Sequence, residues 1–142
     1  MKNSFNLGDD YLTIDLVESI AKGEMNVSMT AKRKQALEAQ RKRVELRLTP
    51  DSPPAYGINT GFGALAERRV SAENLNRLQT NLIRSHCTGV GAPFPVLITR
   101  GIMLLRAQVL SKTTSGARPA IVELLINMLN LHNNDRTIFL PF

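Results

Sequence analysis

The stretches PVLITRGIMLLRAQVLSK (Pro95–Lys112) and PAIVELLINMLN (Pro119–Asn130), separated by a short polar turn, decide the fold class of this 142-residue chain. In the first stretch, apolar residues recur at the three- and four-residue spacing of a helix face. Pro119 suits the first turn of a second helix, and that helix is apolar on nearly every side. Such a helix is normally buried by its neighbours. We therefore expect a mainly α fold, and because only about five helices are predicted, part of the apolar surface of this helix should stay uncovered.

Three more helices are predicted before this pair. Thr13 is a suitable N-cap for a short helix that ends at Gly23. A second helix is expected from Ala31 to about Leu48, and its apolar stripe is so thin that most of it should face solvent. Ser71 is the expected N-cap of a third helix. The apolar stripe of the third helix consists of Leu75, Leu78, Leu82 and, at the same helical spacing, His86. The chain is thus predicted to be helical nearly throughout.

A proline-rich and glycine-rich segment interrupts the helices. Pro50, Pro53 and Pro54 cannot lie in a helix interior. The octapeptide YGINTGFG (Tyr56–Gly63) follows them and contains three glycines. This composition predicts an irregular loop with unusual backbone angles or a close approach of another group. The loop has neither the Walker nor the GxGxxG spacing, so the pattern gives little support to a phosphate-binding loop.

The composition narrows the class of protein. Apolar residues make up 43% of the chain, which is typical of a globular protein, yet no uninterrupted apolar stretch is long enough for a transmembrane helix. The first residues lack the apolar region of a secretory signal. Cys87 is the single cysteine, which excludes an internal disulfide and a CxxC zinc site, and no histidine spacing suggests a metal site. We therefore expect a cytoplasmic protein without a metal or a membrane segment.

Most of the formal net charge of +6 comes from one segment. Lys32 to Arg47 holds seven basic residues against two acidic ones. A basic segment can bind nucleic acid, but it is more often a solvated or subunit-facing helix face. No nucleic-acid-binding motif accompanies it, tryptophan is absent, and aromatic residues are only 5% of the chain. Nucleic-acid binding is therefore disfavoured.

Tyr56 and His86 are the two candidates for a catalytic or substrate-binding side chain. Tyr56 lies between the prolines and the glycines, where a phenol can act as a general acid or base. Composition alone favours a simpler role, an aromatic lid over the loop. His86 ends an apolar stripe, and its simpler role is a core or helix-end histidine. Cys87 follows it directly, and because neighbouring residues of a helix point about 100° apart, the two do not form a nucleophile pair.

Several arginines punctuate the apolar helices. A buried arginine needs partners, and ion pairs between helices are favoured over binding of a substrate carboxylate. The candidate acidic partners are Glu73 and Glu123. The arginines concerned are Arg84, Arg100, Arg106 and Arg118.

Three ordered motifs together resemble the aromatic amino-acid ammonia-lyases, and most closely their histidine ammonia-lyase branch. They are YGINTGFG (Tyr56–Gly63), LQTNLIRSHCTGVG (Leu78–Gly91) and SGARP (Ser115–Pro119). TIDLV and AKG, near the start of the chain, add to a likeness that spans roughly residues 12–130. The resemblance implies the partial N-terminal region of a fumarase/aspartase-like helical fold with a glycine-rich active-site loop. On this basis residues 1–130 form an incomplete domain, and residues 131–142 form a divergent tail.

The resemblance also implies roles for three residues. Tyr56 matches the catalytic base that removes the β-proton of an amino-acid substrate. Gly63 matches a substrate-contact position, and His86 matches the position that sets selectivity, where histidine accompanies histidine or tyrosine substrates. The implied reaction is the conversion of L-histidine to urocanate and ammonia. A tyrosine ammonia-lyase or an aminomutase stays open as an alternative.

One feature of the family is missing from this sequence. The family forms its electrophile, 4-methylidene-imidazol-5-one, from an Ala-Ser-Gly stretch of its own backbone, and these 142 residues contain no such stretch. Family active sites are also assembled from several subunits of a tetramer. We therefore expect a truncated or split product that is inactive alone and needs other lyase subunits or a complementing chain. A non-catalytic fragment that binds a lyase subunit, and a basic nucleic-acid-binding module, are the alternatives from other classes.

Overall fold

The computed structural model describes residues 4–49 and 52–131, which form two compact units. The first unit comprises residues up to 41 and from 91 onward, and the second comprises Lys42–Val90. The elements in chain order are β1 (Ser4–Asn6), α1 (Ile14–Lys22), β2 (Asn26–Ser28), α2 (Ala31–Glu45), α3 (Ala72–His86), α4 (Val96–Ser111) and α5 (Pro119–Asn130). Short 3₁₀ turns occupy Leu46–Leu48 and Gly63–Leu65. The predicted mainly α fold is confirmed, whereas the predicted tail beyond Leu131 lies outside the described residues.

The ends of the helices follow the local signals in the sequence. Thr13 Oγ1 accepts a hydrogen bond from the Leu16 N–H at 3.3 Å and caps α1. Gly23 ends the same helix in the left-handed conformation, at φ 79°. Pro119 is the first residue of α5. These features need only local backbone geometry, so the sequence pattern predicts them directly.

The hydrophobic core of the first unit lies between α1, α2, α4, α5 and a two-stranded parallel sheet. Phe5 of β1 pairs with Val27 of β2, and both side chains are buried. The buried apolar side chains are Phe5, Leu7, Ile20, Val27, Leu37, Met103, Leu104, Ala107, Val122, Ile126 and Leu129. Strand β1 was not predicted from the sequence, since a three-residue strand leaves little pattern to detect.

Arg100 of α4 joins the C-terminal ends of two other helices. Its side chain is 9% exposed. Nε donates to the Ala21 carbonyl at 2.7 Å, and Nη2 donates to the carbonyls of Ile20 at 3.1 Å and Leu129 at 2.7 Å. Burial lowers the pKa of the guanidinium. The sequence suggested Glu123 as an acidic partner for such an arginine, whereas Glu123 pairs with Lys34.

The basic segment of α2 is partly neutralised. Arg33 pairs with Asp9 at 2.5 Å, and Lys34 pairs with Glu123 at 2.6 Å. Hydrogen bonds from Thr30 and Arg33 lower the pKa of the Asp9 carboxyl. Leu37 is the buried residue of this otherwise largely exposed helix, as its thin apolar stripe predicts.

The helices α4 and α5 are apolar on more sides than the first unit covers. Val122 of α5 is buried, whereas Leu124 of the same helix is exposed. On α4, Leu105 and Val109 are exposed as well. These apolar side chains are therefore left uncovered in the described part of the chain, as the composition of α5 predicts.

The second unit is held together differently. Among the side chains described between residues 42 and 90, the buried ones are polar: Ser52, Asn59 and Thr60. The stripe of α3, which includes Leu75 and Leu82, is only half-buried. Hydrogen bonds of the loop, rather than buried apolar area, therefore give this unit its shape.

Candidate active site

The loop from Ala55 to Val70 folds back on itself through backbone hydrogen bonds. The Ala55 carbonyl accepts from the N–H groups of Ile58 at 3.0 Å and Asn59 at 3.1 Å. The Val70 N–H donates to the Asn59 carbonyl at 2.9 Å, and an antiparallel bridge pairs the neighbouring residues 60 and 69. The predicted irregular loop is thus a closed and hydrogen-bonded structure that presents Tyr56 near its start.

Tyr56 lies on the surface of the second unit. Its side chain is 66% exposed, and no hydrogen bond joins its hydroxyl to another described residue. Its ring packs edge-to-face against Phe62, with 5.8 Å between ring centroids and an angle of 83° between the ring planes. This contact holds one edge of the ring while leaving most of the side chain accessible. The phenol is therefore available to a ligand.

Two positions of the loop favour glycine for different structural reasons. A Cβ atom on Gly61 would lie 2.6 Å from the Leu65 Cβ and 2.9 Å from the Leu65 carbonyl oxygen, so no side chain fits there. Gly63 has a φ of 57°, which favours glycine, while a Cβ on it would meet nothing within 4 Å. The backbone at Gly63 therefore faces open space.

His86 is the last residue of α3, and its side chain is exposed. Nδ1 lies 2.9 Å from the Leu82 carbonyl oxygen and 3.0 Å from the Ser85 hydroxyl. Because a carbonyl oxygen can only accept, this contact assigns the hydrogen to Nδ1. In the neutral ring with this hydrogen on Nδ1, Nε2 is an acceptor.

The structure brings two of the three predicted site residues together. Tyr56 and Gly63 are the first and last residues of the YGINTGFG segment within this loop. Phe62, which precedes Gly63, contacts the Tyr56 ring. No hydrogen bond or ring contact joins His86 to this loop within the described ranges. Asn59, a buried residue at the centre of the loop, was not predicted from the sequence. An asparagine inside a glycine-rich turn could have indicated a structural role, since asparagine side chains readily bond to the nearby backbone.

The chain does not fit the electrophile that the family resemblance implies. Ser115-Gly116 is the one Ser-Gly pair in the sequence, and Thr114 rather than alanine precedes it. The Ser115 hydroxyl accepts from the Ala117 N–H at 3.4 Å in the turn before α5. These 142 residues therefore cannot form that group by themselves. Within residues 4–49 and 52–131, no cluster of histidine, cysteine, aspartate and glutamate could hold a metal ion, and no helix is long and apolar enough to span a membrane.

A family model described as "Aromatic amino acid lyase" matches residues 12–133, which include the loop and all three candidate residues. The chain belongs to the aromatic amino acid lyase family. The resemblance of the three motifs to this family is thereby confirmed.

Individual relatives agree with this assignment. Histidine ammonia-lyase from Anaeromyxobacter dehalogenans is 43% identical over 123 residues, which cover 87% of this chain and 24% of that protein. Histidine ammonia-lyase from a Geobacillus species is 40% identical over 119 residues, 84% of this chain and 23% of that protein. The chain thus spans about a quarter of the length of the curated relatives that it matches.

Solved structures match in fold as well. Tyrosine aminomutase from Streptomyces globisporus has a TM-score of 0.81 and 31% identity, over 90% of this chain and 24% of the aminomutase. Histidine ammonia-lyase from Trypanosoma cruzi has a TM-score of 0.74 and 29% identity, over 89% of this chain and 24% of that enzyme. The described elements are therefore a partial, N-terminal region of the helical fold that these enzymes share.

Proposed function

We propose that this chain supplies the proton-abstracting part of an ammonia-lyase active site that converts L-histidine to urocanate and ammonia. The observation that carries the proposal is the accessible Tyr56 phenol on a hydrogen-bonded loop, inside the region that matches the lyase family. The histidine ammonia-lyases that are about 40% identical to this chain support L-histidine as the substrate.

In this reaction the role of Tyr56 is to accept a proton. Elimination breaks the Cβ–H bond of the amino acid and the bond between Cα and nitrogen. The new carbon–carbon double bond joins Cα and Cβ. The β-proton passes to the phenolate oxygen of Tyr56, and the amine leaves as ammonia. A base held at a fixed position contributes typically about 10²–10⁴-fold to such a step. The edge-to-face contact with Phe62 limits the rotation of the ring and so helps to keep the oxygen in place.

Gly63 and His86 have the role of binding the substrate. The open backbone at Gly63 allows a ligand to approach the main chain without meeting a side chain. Nε2 of neutral His86 can accept a hydrogen bond from the N–H of an imidazole ring. It can equally accept one from a phenolic hydroxyl, so a tyrosine substrate is the second candidate. The fold match to a tyrosine aminomutase favours that alternative specifically.

The electrophile and the remaining cover are proposed to come from further lyase sequence, in other subunits or in a complementing chain. Two features support this proposal. The apolar side chains of Leu105 on α4 and Leu124 on α5 are exposed, and the buried side chains described in the second unit are polar. We therefore expect the 142-residue polypeptide alone to produce no urocanate. Light scattering after size-exclusion chromatography tests whether it associates, and a well-folded monomer at every concentration would contradict the need for partners.

A chimera tests the function directly. Residues 12–133 of this chain replace the matching segment of the 43%-identical A. dehalogenans histidine ammonia-lyase. Urocanate formation is followed by its ultraviolet absorbance, with the polypeptide of 142 residues as a parallel sample. We expect activity from the chimera and none from the isolated chain. A chimera that assembles like the parent enzyme but forms no urocanate would overturn the proposal, and so would turnover by the isolated chain.

A further inference from the structure

Among the side chains that the structure describes in the second unit, Asn59 makes three hydrogen bonds to backbone groups. It is 3% exposed. Its Oδ1 accepts from the Ala55 N–H at 2.7 Å, and its Nδ2 donates to the carbonyls of Pro53 at 3.0 Å and Arg47 at 3.3 Å. Both donor hydrogens of the amide are therefore used, together with one acceptor position. The side chain thus bonds to backbone groups that lie up to twelve residues before it in sequence.

One of these side-chain bonds, together with backbone bonds of the loop, involves Ala55, the residue immediately before Tyr56. The Ala55 N–H is held by Asn59 Oδ1, and the Ala55 carbonyl accepts from the N–H groups of Ile58 and Asn59. Thr60 Oγ1 adds a longer bond of 3.4 Å to the same carbonyl. With both polar backbone groups of Ala55 fixed, little freedom remains for the backbone from which the Tyr56 side chain projects.

We propose that Asn59 is a positioning residue, which sets the location of the Tyr56 phenol through the Ala55 backbone. The alternative is that Asn59 only contributes to general stability. The second unit favours a positioning role because its described buried side chains are polar, so hydrogen bonds rather than apolar packing define the loop. The catalytic part of this inference rests on the proposed function, whereas the structural part does not.

Fluorine NMR of the 142-residue chain tests the structural part. The sequence has two tyrosines, and Tyr11 is 86% exposed, so a Tyr11→Phe background leaves Tyr56 as the single site for 3-fluorotyrosine. Asn59→Leu keeps a similar volume but removes all three side-chain hydrogen bonds. We expect its Tyr56 resonance to move to the position found in the urea-unfolded chain. Asn76→Leu, an exposed change on α3, should leave the resonance unmoved.

A second variant keeps the test decisive if Asn59→Leu disrupts the whole unit. Asn59→Asp retains the acceptor for the Ala55 N–H. It replaces the donor Nδ2 by an oxygen, which cannot donate to the carbonyls of Pro53 and Arg47 and repels them. Protonation of that carboxyl restores one donor, so lowering the pH should return the Tyr56 resonance towards its parent position. Asn59→Leu should show no such return. An unmoved resonance in Asn59→Leu, or no pH-dependent return in Asn59→Asp, would overturn the inference.

The chimera supplies the catalytic readout. Because Asn59 is buried within the loop and acts through Ala55, Asn59→Asp should lower kcat by about 10²-fold with much less change in KM, as expected for a misplaced base. A rise in KM at constant kcat would instead indicate a role in substrate binding and would contradict the inference. If the unmodified chimera makes no urocanate, the proposed function fails, while the fluorine experiment still decides whether Asn59 positions Tyr56.

Discussion

Replacement of Arg100 by methionine should strongly destabilise the first unit. Methionine keeps an unbranched apolar stem of comparable reach, so the change removes the guanidinium while retaining much of the packing. The bonds that are lost run to the carbonyls of Ile20, Ala21 and Leu129. These carbonyls lie at the ends of α1 and α5, so the substitution removes the side chain that joins both helix ends to α4.

The structure allows the size of the effect to be worked out. The Ile20 carbonyl keeps a second donor, the Gly23 N–H at 3.0 Å, so the main loss falls on the carbonyls of Ala21 and Leu129. A hydrogen bond to a charged group contributes about 1.5–3 kcal/mol. Burying the charged guanidinium costs free energy, and the same desolvation lowers the pKa of Arg100. The methionine variant avoids this cost, which offsets part of the loss. The net loss should therefore be about 3 kcal/mol, a large part of the about 5–15 kcal/mol typical of a domain.

Urea unfolding followed by circular dichroism measures this loss. With a slope of about 1–3 kcal/mol per molar urea, the midpoint should fall by about 1–3 M. Arg106→Met is the matched control because Arg106 is exposed on the same helix, and it should change stability by less than about 0.5 kcal/mol. Equal midpoints for Arg100→Met and Arg106→Met would refute the reasoning that these carbonyls depend on the guanidinium.

Two further predictions concern selectivity and pH. In the chimera, His86→Phe should lower the ratio of kcat/KM for L-histidine over L-phenylalanine by about tenfold or more, because the Nε2 acceptor is lost; an unchanged ratio would reject the selectivity role. Asp9→Asn should destabilise the chain at neutral pH, since hydrogen bonds from Thr30 and Arg33 lower the pKa of Asp9 when the chain is folded. That contribution is fully present above the ordinary carboxyl pKa of 3.8 and is lost as the pH falls through the lowered value, so urea midpoints of variant and parent should converge below about pH 4. A difference that stays constant with pH would contradict this.

The features that could be predicted from the sequence are those with local causes. Thr13 and Gly23 bound α1 through cap geometry within a few residues, and Pro119 starts α5 for the same reason. The glycine-rich composition around Tyr56 indicated a special loop, because glycines tolerate backbone angles that other residues avoid. Three ordered motifs then identified the family, and with it the candidate residues.

The features that could not be predicted depend on distant parts of the chain. The carbonyl partners of Arg100 come from α1, 79 and 80 residues earlier, and from α5, 29 residues later. A residue type alone does not reveal whether a buried arginine will meet carboxylates or helix ends. Asn59 escaped notice for a related reason, because its partners become neighbours only when the loop closes.

The central claim is that the Tyr56 side chain, as its phenolate, takes the β-proton, and a pair of tyrosine substitutions in the chimera tests it most directly. Phenylalanine removes only the hydroxyl, so Tyr56→Phe keeps the ring contact with Phe62. We expect Tyr56→Phe to lower the kcat for urocanate formation by at least about 10²-fold without loss of assembly, whereas Tyr11→Phe should leave kcat unchanged. Equal kcat values for the two variants would contradict it.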